Sequence, residues 1–449
     1  MKALTTKEIQ ELIKENKYKD LKIQLNDEFP MDIAAVLDDL NGNESTLVFK
    51  MLSKERAAEV FSYLEKESRS HLTSMLNPLA LDTLFGSLAF DDKIDYLEEL
   101  PANIAKKLIH DSTPENRALI NQFLNYPEDS AGSVMTIEYL SLKSGITVGE
   151  ALSYIRKNGL NKETIYTCYV VSNTKRLLGY ITLKTLILAD EEKTISELMS
   201  DDDGVISVHT TEDREKVAWM FKQYDLLSIP VVDSENRMVG IITVDDIVDI
   251  IEDENTEDFQ KMAAITPSDE SYLKTNIFAL AWKRIPWLLV LMISASFTGA
   301  IISHFEGLMS SAVALAAFIP MLMSSGGNAG SQSSTLIIRN LAVGDLKTKN
   351  ALTILLKEFF VGLIAGMTLG AINFLRLIIF SKTDSSIALA VSLTLVLVVT
   401  TAKIVGSMLP VAAKALKLDP TIMAGPLITT VLDALSLIFY FSIASVAIL

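Results

Sequence analysis

The chain has 449 residues, 21% charged and 49% apolar, with 40 Lys and Arg against 56 Asp and Glu. That composition excludes collagen-like, mucin-like and wholly disordered chains, and a mean hydropathy of +0.31 is too high for an acidic protein that is soluble throughout. The charge splits at Ile285: residues 285–449 hold six acids and nine bases, a net of +3, and the residues before them carry a net of −19. An acidic soluble body is therefore followed by a membrane domain, and the acidic body disfavours nucleic acid as a partner, because it repels phosphate. The mixed-charge stretch Met1 to Asp20 has no signal-peptide apolar run, so the chain is expected to start in the cytosol. The single cysteine, Cys168, excludes an internal disulfide and any cysteine-based metal cluster, and reads as a small buried apolar side chain.

In residues 1–130, Ile33, Ala34, Leu37 and Leu40 recur as Ala57, Ala58, Phe61 and Leu64 after 24 residues. The pattern returns at Leu81, Phe85 and Leu88, and again at Ile104, Ala105 and Leu108. Helical spacing inside such a period predicts an α-solenoid of four short helix pairs over Phe29 to Leu124. A second repeat follows: Val170, Val171, Gly179, Tyr180, Ile181 and Thr182 reappear 61 residues on as Val231, Val232, Gly240, Ile241, Ile242 and Thr243, and Val134-Met135-Thr136 returns as Leu198-Met199-Ser200. Each copy reads as strand, turn and strand flanked by helices. Residues 131–195 and 196–252 thus resemble a tandem pair of α/β modules of the cystathionine-β-synthase (CBS) type; a duplicated α/β unit without a ligand is the plainer alternative. The run Gly240 to Asp246 resembles the adenosine-nucleotide motif of such modules. That resemblance puts Thr243 at phosphate or ribose and Asp246 at the ribose hydroxyls of ATP or another adenosine nucleotide. The first copy ends in Thr185 where the motif has Asp, so at most one nucleotide per chain is expected.

Residues 245–258 contain eight acids and no base (Asp245, Asp246, Asp249, Glu252, Asp253, Glu254, Glu257, Asp258) on a stretch that otherwise reads as helix. Like charges at i,i+4 destabilise a helix by about 0.2–0.5 kcal/mol per pair, so something cationic should offset them. A solvated acidic face is one reading; carboxylate ligands for Mg²⁺ or Ca²⁺ are the other. Asp91, Asp92 and Asp95 offer a facing acidic wall. Two such surfaces repel until a divalent ion screens them, which makes a sensor that closes with metal and opens without it.

Beyond the connecting segment 253–284, the domain 285–449 has five stretches long enough to span a bilayer, near 285–304, 309–338, 351–380, 386–413 and 420–448. Basic connectors (Arg339, Lys347 and Lys349; Lys414 and Lys417) place those loops and the N-terminal body in the cytosol and Leu449 outside. The second span carries Ser324-Ser325-Gly326-Gly327-Asn328-Ala329-Gly330-Ser331-Gln332, a polar run that must line a cavity or pack on protein. Ser324, Asn328 and Gln332 share one face if the helix persists. In the fifth span Asp433 is an intramembrane carboxylate, costly and by default functional, and Pro426 is expected to free the Ile422 carbonyl of its helical partner. Glu358 and Lys403 read as a structural ion pair, with a snorkelling Lys403 as the alternative, Arg376 as a snorkelling side chain, and Gly362, Gly366 and Gly370 as a packing face.

The order of parts resembles the MgtE magnesium channels. The match is carried by Tyr224 to Asp233, Thr243 to Asp246, Thr256-Glu257-Asp258-Phe259, Arg284-Ile285-Pro286-Trp287, Gly326 to Gln332, Asp419-Pro420 and Gly425-Pro426 to Asp433. The resemblance implies a multi-domain fold: a cytosolic α-solenoid, tandem α/β CBS modules, an acidic connecting helix and an all-α membrane domain of five helices. It implies a homodimer in the plasma membrane with a pore on the twofold axis, which imports Mg²⁺ and is gated shut when cytosolic Mg²⁺ binds between solenoid, CBS pair and connecting helix. The pore aspartate falls on Asp433 and the regulatory acids on Asp225, Asp246, Asp249, Glu254 and Glu257, with Asp91 and Asp95. One Asp433 per chain cannot neutralise a divalent ion, whereas two across a dimer axis can, with Asn328 contacting the ion's waters. The rival transport reading is a proton-coupled carrier that cycles Asp433. An enzyme is not expected: the four histidines are scattered singly, and no His-Glu-x-x-His helix is present.

Overall fold

In the computed structural model, residues 4–200, 205–268, 272–273, 275–311 and 313–448 are described. They form two compact units, 1–250 and 251–449.

The first unit begins with ten short helices: α1 (Thr6–Lys14), α2 (Tyr18–Asp27), α3 (Pro30–Asp39), α4 (Gly42–Phe49), α5 (Lys54–Ser62), α6 (Lys66–Met75), α7 (Pro78–Ser87), α8 (Phe90–Glu99), α9 (Ala102–Asp111) and α10 (Pro114–Phe123). From α3 onward every second helix starts 24 residues after the last, at 30, 54, 78 and 102, and at 42, 66, 90 and 114. The four expected pairs are therefore present, preceded by a further pair, α1 and α2. Each helix is too short to hold alone. Local signals start them: Asn41, Ser53, Asn77 and Thr113 cap the following turn, and Pro30, Pro78 and Pro114 occupy its first position. Stacking supplies the rest, as in the edge-to-face contact of Phe61 with Tyr96 at 5.0 Å and the buried bond between Tyr96 and Thr73 at 2.6 Å.

Two α/β modules follow, built from β1 (Ser141–Lys143), α11 (Val148–Asn158), β2 (Thr167–Val171), β3 (Leu177–Thr182), α12 (Leu183–Leu188) and α13 (Ile195–Leu198), then β4 (Val208–His209), α14 (Arg214–Tyr224), β5 (Ser228–Val232), β6 (Met238–Thr243) and α15 (Val244–Met262). The sheets have orders β1-β2-β3 and β4-β5-β6, each with one parallel and one antiparallel pairing. Both break register at the same place, Val170/Val171 and Val231/Val232, so the 61-residue repeat extends to the irregularity. The leading segments cross over: Thr136 pairs with Ile241 and Ser200 with Tyr180. The solenoid core runs without interruption into the second module through Val217, Phe221, Ile229, Ile242 and Ile247. Cys168 is fully buried, and burial pushes its thiol up to about 12, as an inert core residue requires.

The second unit contains α16 (Ile277–Trp282), α17 (Ile285–His304), α18 (Glu306–Ser311), α19 (Ile319–Ala342), α20 (Ala351–Ile379), α21 (Ser385–Ala415) and α22 (Gly425–Ile448). Among the described residues five segments are long and apolar enough to cross a bilayer: Ile277–His304, Val313–Ala342, Thr348–Ile379, Ser385–Ala415 and Pro420–Val446. The glycine ladder of α20 packs as its spacing predicts. Methyl groups on Gly362, Gly366 and Gly370 would come within 3.0 Å of the α21 residues Thr400, Val396 and Val396 again.

Candidate functional site

In the membrane unit the polar run of α19 stays helical and divides into two faces. Gly326, Gly327 and Gly330 are buried, and side chains there would collide with Val398 of α21 and with Thr429, Leu432 and Ser436 of α22. Ser324, Asn328 and Gln332 lie one turn apart on another face and are exposed, joined by the Asn328–Ser324 bond at 3.4 Å. Of the two alternatives the sequence left, packing is realised on the glycine face, and the face of Ser324, Asn328 and Gln332 is exposed. Asp433 is half-buried on α22, between Thr429 and Ser436, whose side chains meet the α19 glycines.

Pro426 departs from expectation. A 3₁₀ turn, Pro420–Met423, precedes α22, and its N-cap Asp419 accepts from the Thr421 N–H at 2.9 Å and hydroxyl at 2.6 Å. The helix then starts at Gly425. Pro426 sits in its first turn, where a missing N–H costs no bond, and its own carbonyl accepts from Thr429 and Thr430 at 2.8 Å each. Glu358 and Lys403 do not pair directly either: Ser333 donates to Glu358 at 2.5 Å and accepts from Lys403 at 3.3 Å. Arg376 is held by Asn373 at 2.9 Å.

At the end of α15, Lys261 donates to Glu257 and to Asp419, at 2.8 Å each. Burial alone would raise Asp419, and the bonds from Lys261 and Thr421 outweigh it and hold the carboxyl below its usual range. Burial and the nearby Asp419 push Asp258 up to about 6. Arg339 reaches Asn255 at 3.3 Å.

In the first unit α8 presents Asp91, Asp92 and Asp95 to the start of α15. Burial, then mutual repulsion, pushes Asp92 and Asp95 up to about 7. Burial raises Asp91, and Asp245 adds to the rise. Asp246 rises to about 6, through burial and the charge of Asp91, against the opposing bond from Thr243. Asp91 Oδ1 is buried without a hydrogen-bond partner. Two acids that the sequence reading missed join them: Glu163, raised to about 7 by burial and by Asp91, Asp246 and Asp245, and Glu138, raised by burial and Asp91. The Glu163 N–H donates to the Glu138 carbonyl at 2.8 Å. Asp225 and Asp249 are exposed, Asp225 in a left-handed turn that ends α14. Glu254 and Glu257 lie farther along α15 and are half-buried. Among the described residues no three acids or histidines converge tightly enough to grip one bare ion. Thr243 and Asp246 bond to each other, Thr243 donating from Oγ1 at 2.7 Å and from its N–H at 3.3 Å; in the first module the Thr182 and Thr185 hydroxyls bond at 2.8 Å and the backbone bond runs the other way, from the Thr185 N–H to Thr182 Oγ1 at 3.1 Å. The repeated motif is at minimum a helix cap.

Three family models match this chain: a divalent cation transporter model over 319–443, the MgtE intracellular N domain over 29–129, and the CBS domain over 131–192 and 195–253. A magnesium transporter MgtE from Thermus thermophilus is 36% identical over 97% of this chain and 97% of its own length. The chain belongs to the MgtE family. An MgtE magnesium transporter from Enterococcus faecalis is 32% identical over 90% of this chain and 93% of its own. A solved cytosolic domain of an Mg²⁺ channel MgtE, in complex with ATP, aligns with 55% of this chain and 99% of its own at 35% identity and a TM-score of 0.52. The solenoid, the CBS pair and the five spans are thus the MgtE architecture, and this MgtE chain is a multi-pass membrane protein of a magnesium-transporter family.

Proposed function

We propose that this MgtE protein is a Mg²⁺-selective channel that works as a homodimer, with Asp433 of each chain at the pore axis, Leu449 outside, and closure driven by cytosolic Mg²⁺. The observation that carries the reading is the exposed row Ser324, Asn328 and Gln332 on a membrane-spanning helix whose opposite, glycine-lined face is packed. Polar side chains facing lipid would be costly, whereas facing a water-filled path they suit an ion that keeps its hydration shell. Two Asp433 carboxylates neutralise one divalent ion, and Asn328 contacts its waters. Asp91, Asp95, Asp225, Asp246, Asp249, Glu254 and Glu257 bind regulatory Mg²⁺ between solenoid, CBS pair and connecting helix. The loose spacing of the acids on α8 and α15 favours hydrated ions over bare ones. ATP binds the second CBS module at Thr243 and Asp246; the related cytosolic domain solved with ATP supports this.

The deciding experiment is Mg²⁺ current through purified protein in a planar bilayer. Asp433→Ala is expected to abolish the current while crosslinking still finds a dimer; wild-type current in that variant would remove Asp433 from the pore.

A further inference from the structure

Buried charge within a membrane span is costly and marks function, and Glu358 and Lys403, each 9% exposed, are not used by the site around Asp433. They meet, through Ser333, where α19, α20 and α21 cross. A methyl group on Gly406 would run into the backbone of Gly330, and one on Gly362 would come within 2.9 Å of Thr400 and 3.3 Å of the Lys403 stem. Into this junction Ser333, 1% exposed, donates to Glu358 Oε2 at 2.5 Å. Lys403 Nζ donates to Ser333 Oγ and to Gln332 Oε1, at 3.3 Å each. Gln332 is exposed and continues the row of Ser324 and Asn328, one turn or about 6 Å along the axis from Asn328. An ammonium, a hydroxyl and a carboxylate thus form a neutral buried unit that reaches the polar row through one amide.

We propose that Lys403 is a positioning residue of the conduction path: it fixes the Gln332 amide, and Glu358, through Ser333, keeps its positive charge from repelling the passing cation. The inference rests on the polar row of α19 being the wall of that path. An ammonium can bond only the oxygen of the amide. Lys403 therefore turns the Gln332 carbonyl away from the path and leaves N–H groups, which do not ligate cations. An ion is then held at Asp433 and passes Gln332 without a second tight stop, as conduction requires.

Single-channel recordings of the full-length protein at low ionic strength test this. Glu358→Gln should lower Mg²⁺ conductance about fourfold or more, the Coulomb effect of one charge on a divalent ion roughly 10 Å away in a water-like medium. Added salt should shrink that loss, and the double variant Glu358→Gln/Lys403→Met should recover most of it. A loss indifferent to salt, or a double variant no better than Glu358→Gln, would overturn the proposal. Should Glu358→Gln fail to fold, Lys403→Met decides alone: with the carboxylate unopposed, Mg²⁺ should block a monovalent current at about fourfold lower concentration, and unchanged block would overturn it. The underlying reading fails separately. The single variants Asn328→Cys and Gln332→Cys, with Cys168 buried out of reach, should let a cationic thiol reagent block the current; no block in either variant would remove the row from the path, whatever the charge variants do.

Discussion

A carboxyl group ordinarily titrates near 4, yet Asp92, Asp95 and Glu163 are held up at about 7 and Asp246 at about 6. Burial is the first cause of each shift and the neighbouring acids add to it. The folded unit therefore binds more protons than the unfolded chain between about pH 4 and 7, and its stability falls as pH rises through that window. Mg²⁺ at the same oxygens would replace the lost protons. Metal-free protein is expected to melt at a higher temperature at pH 5.5 than at pH 8, and millimolar Mg²⁺ should raise the melting temperature at pH 8 far more than at pH 5.5. Trp219 fluorescence, in a variant with Trp282 and Trp287 changed to Phe, reads the unit that holds these acids. Equal melting at both pH values without Mg²⁺ would mean that the acids do not confine one another.

The helices of the membrane unit meet at points where only glycine fits, and Gly406 against the Gly330 carbonyl is the tightest of them against backbone. Gly406→Ala should destabilise the protein by about 1–3 kcal/mol through overpacking, seen as a lower melting temperature in detergent; an unchanged melt would place the α19–α21 crossing elsewhere. Such crossings were partly legible in the sequence. Gly362, Gly366 and Gly370 announce a face by their spacing, and the 24-residue period of the solenoid and the 61-residue period of the modules were legible because each copy must bury the same stripe or strand. What stayed hidden was tertiary. Glu138 and Glu163 join the acidic wall from loops with no motif, because only the docking of the first module brings them to α8. Ser333 stands between Glu358 and Lys403 because three helices converge there, which pairwise depth along two spans does not reveal. The helix start at Gly425 had a local signal, the Asp419-Pro420-Thr421 cap, which the expectation of an unbroken span overrode.

At the scale of the whole molecule, α15 is a single helix of 19 residues, about 28 Å long. Its first turn carries Asp245 and Asp246 of the acidic wall, and its last turn carries Lys261, bonded to Asp419 ahead of α22. Asp245 and Asp246 face Asp91 and Asp92 of α8 with like charge, and divalent ions at these carboxylates would both screen and ligate them. Stepping free Mg²⁺ on the cytosolic face from micromolar to about 10 mM, the range of weak oxygen-ligand sites, should therefore shut the current. The variant Asp91→Asn/Asp246→Asn removes two of the mutually repelling carboxylates and two ligands at once. If repulsion alone set the gate, this variant would stay closed at low Mg²⁺; if ligation sets it, the variant stays open at Mg²⁺ levels that close the wild type, and the second outcome is expected. Slow flux that follows the proton gradient and ignores internal Mg²⁺ would instead favour a carrier, and would leave the crowded, buried carboxylates of α8 and α15 without a role in transport.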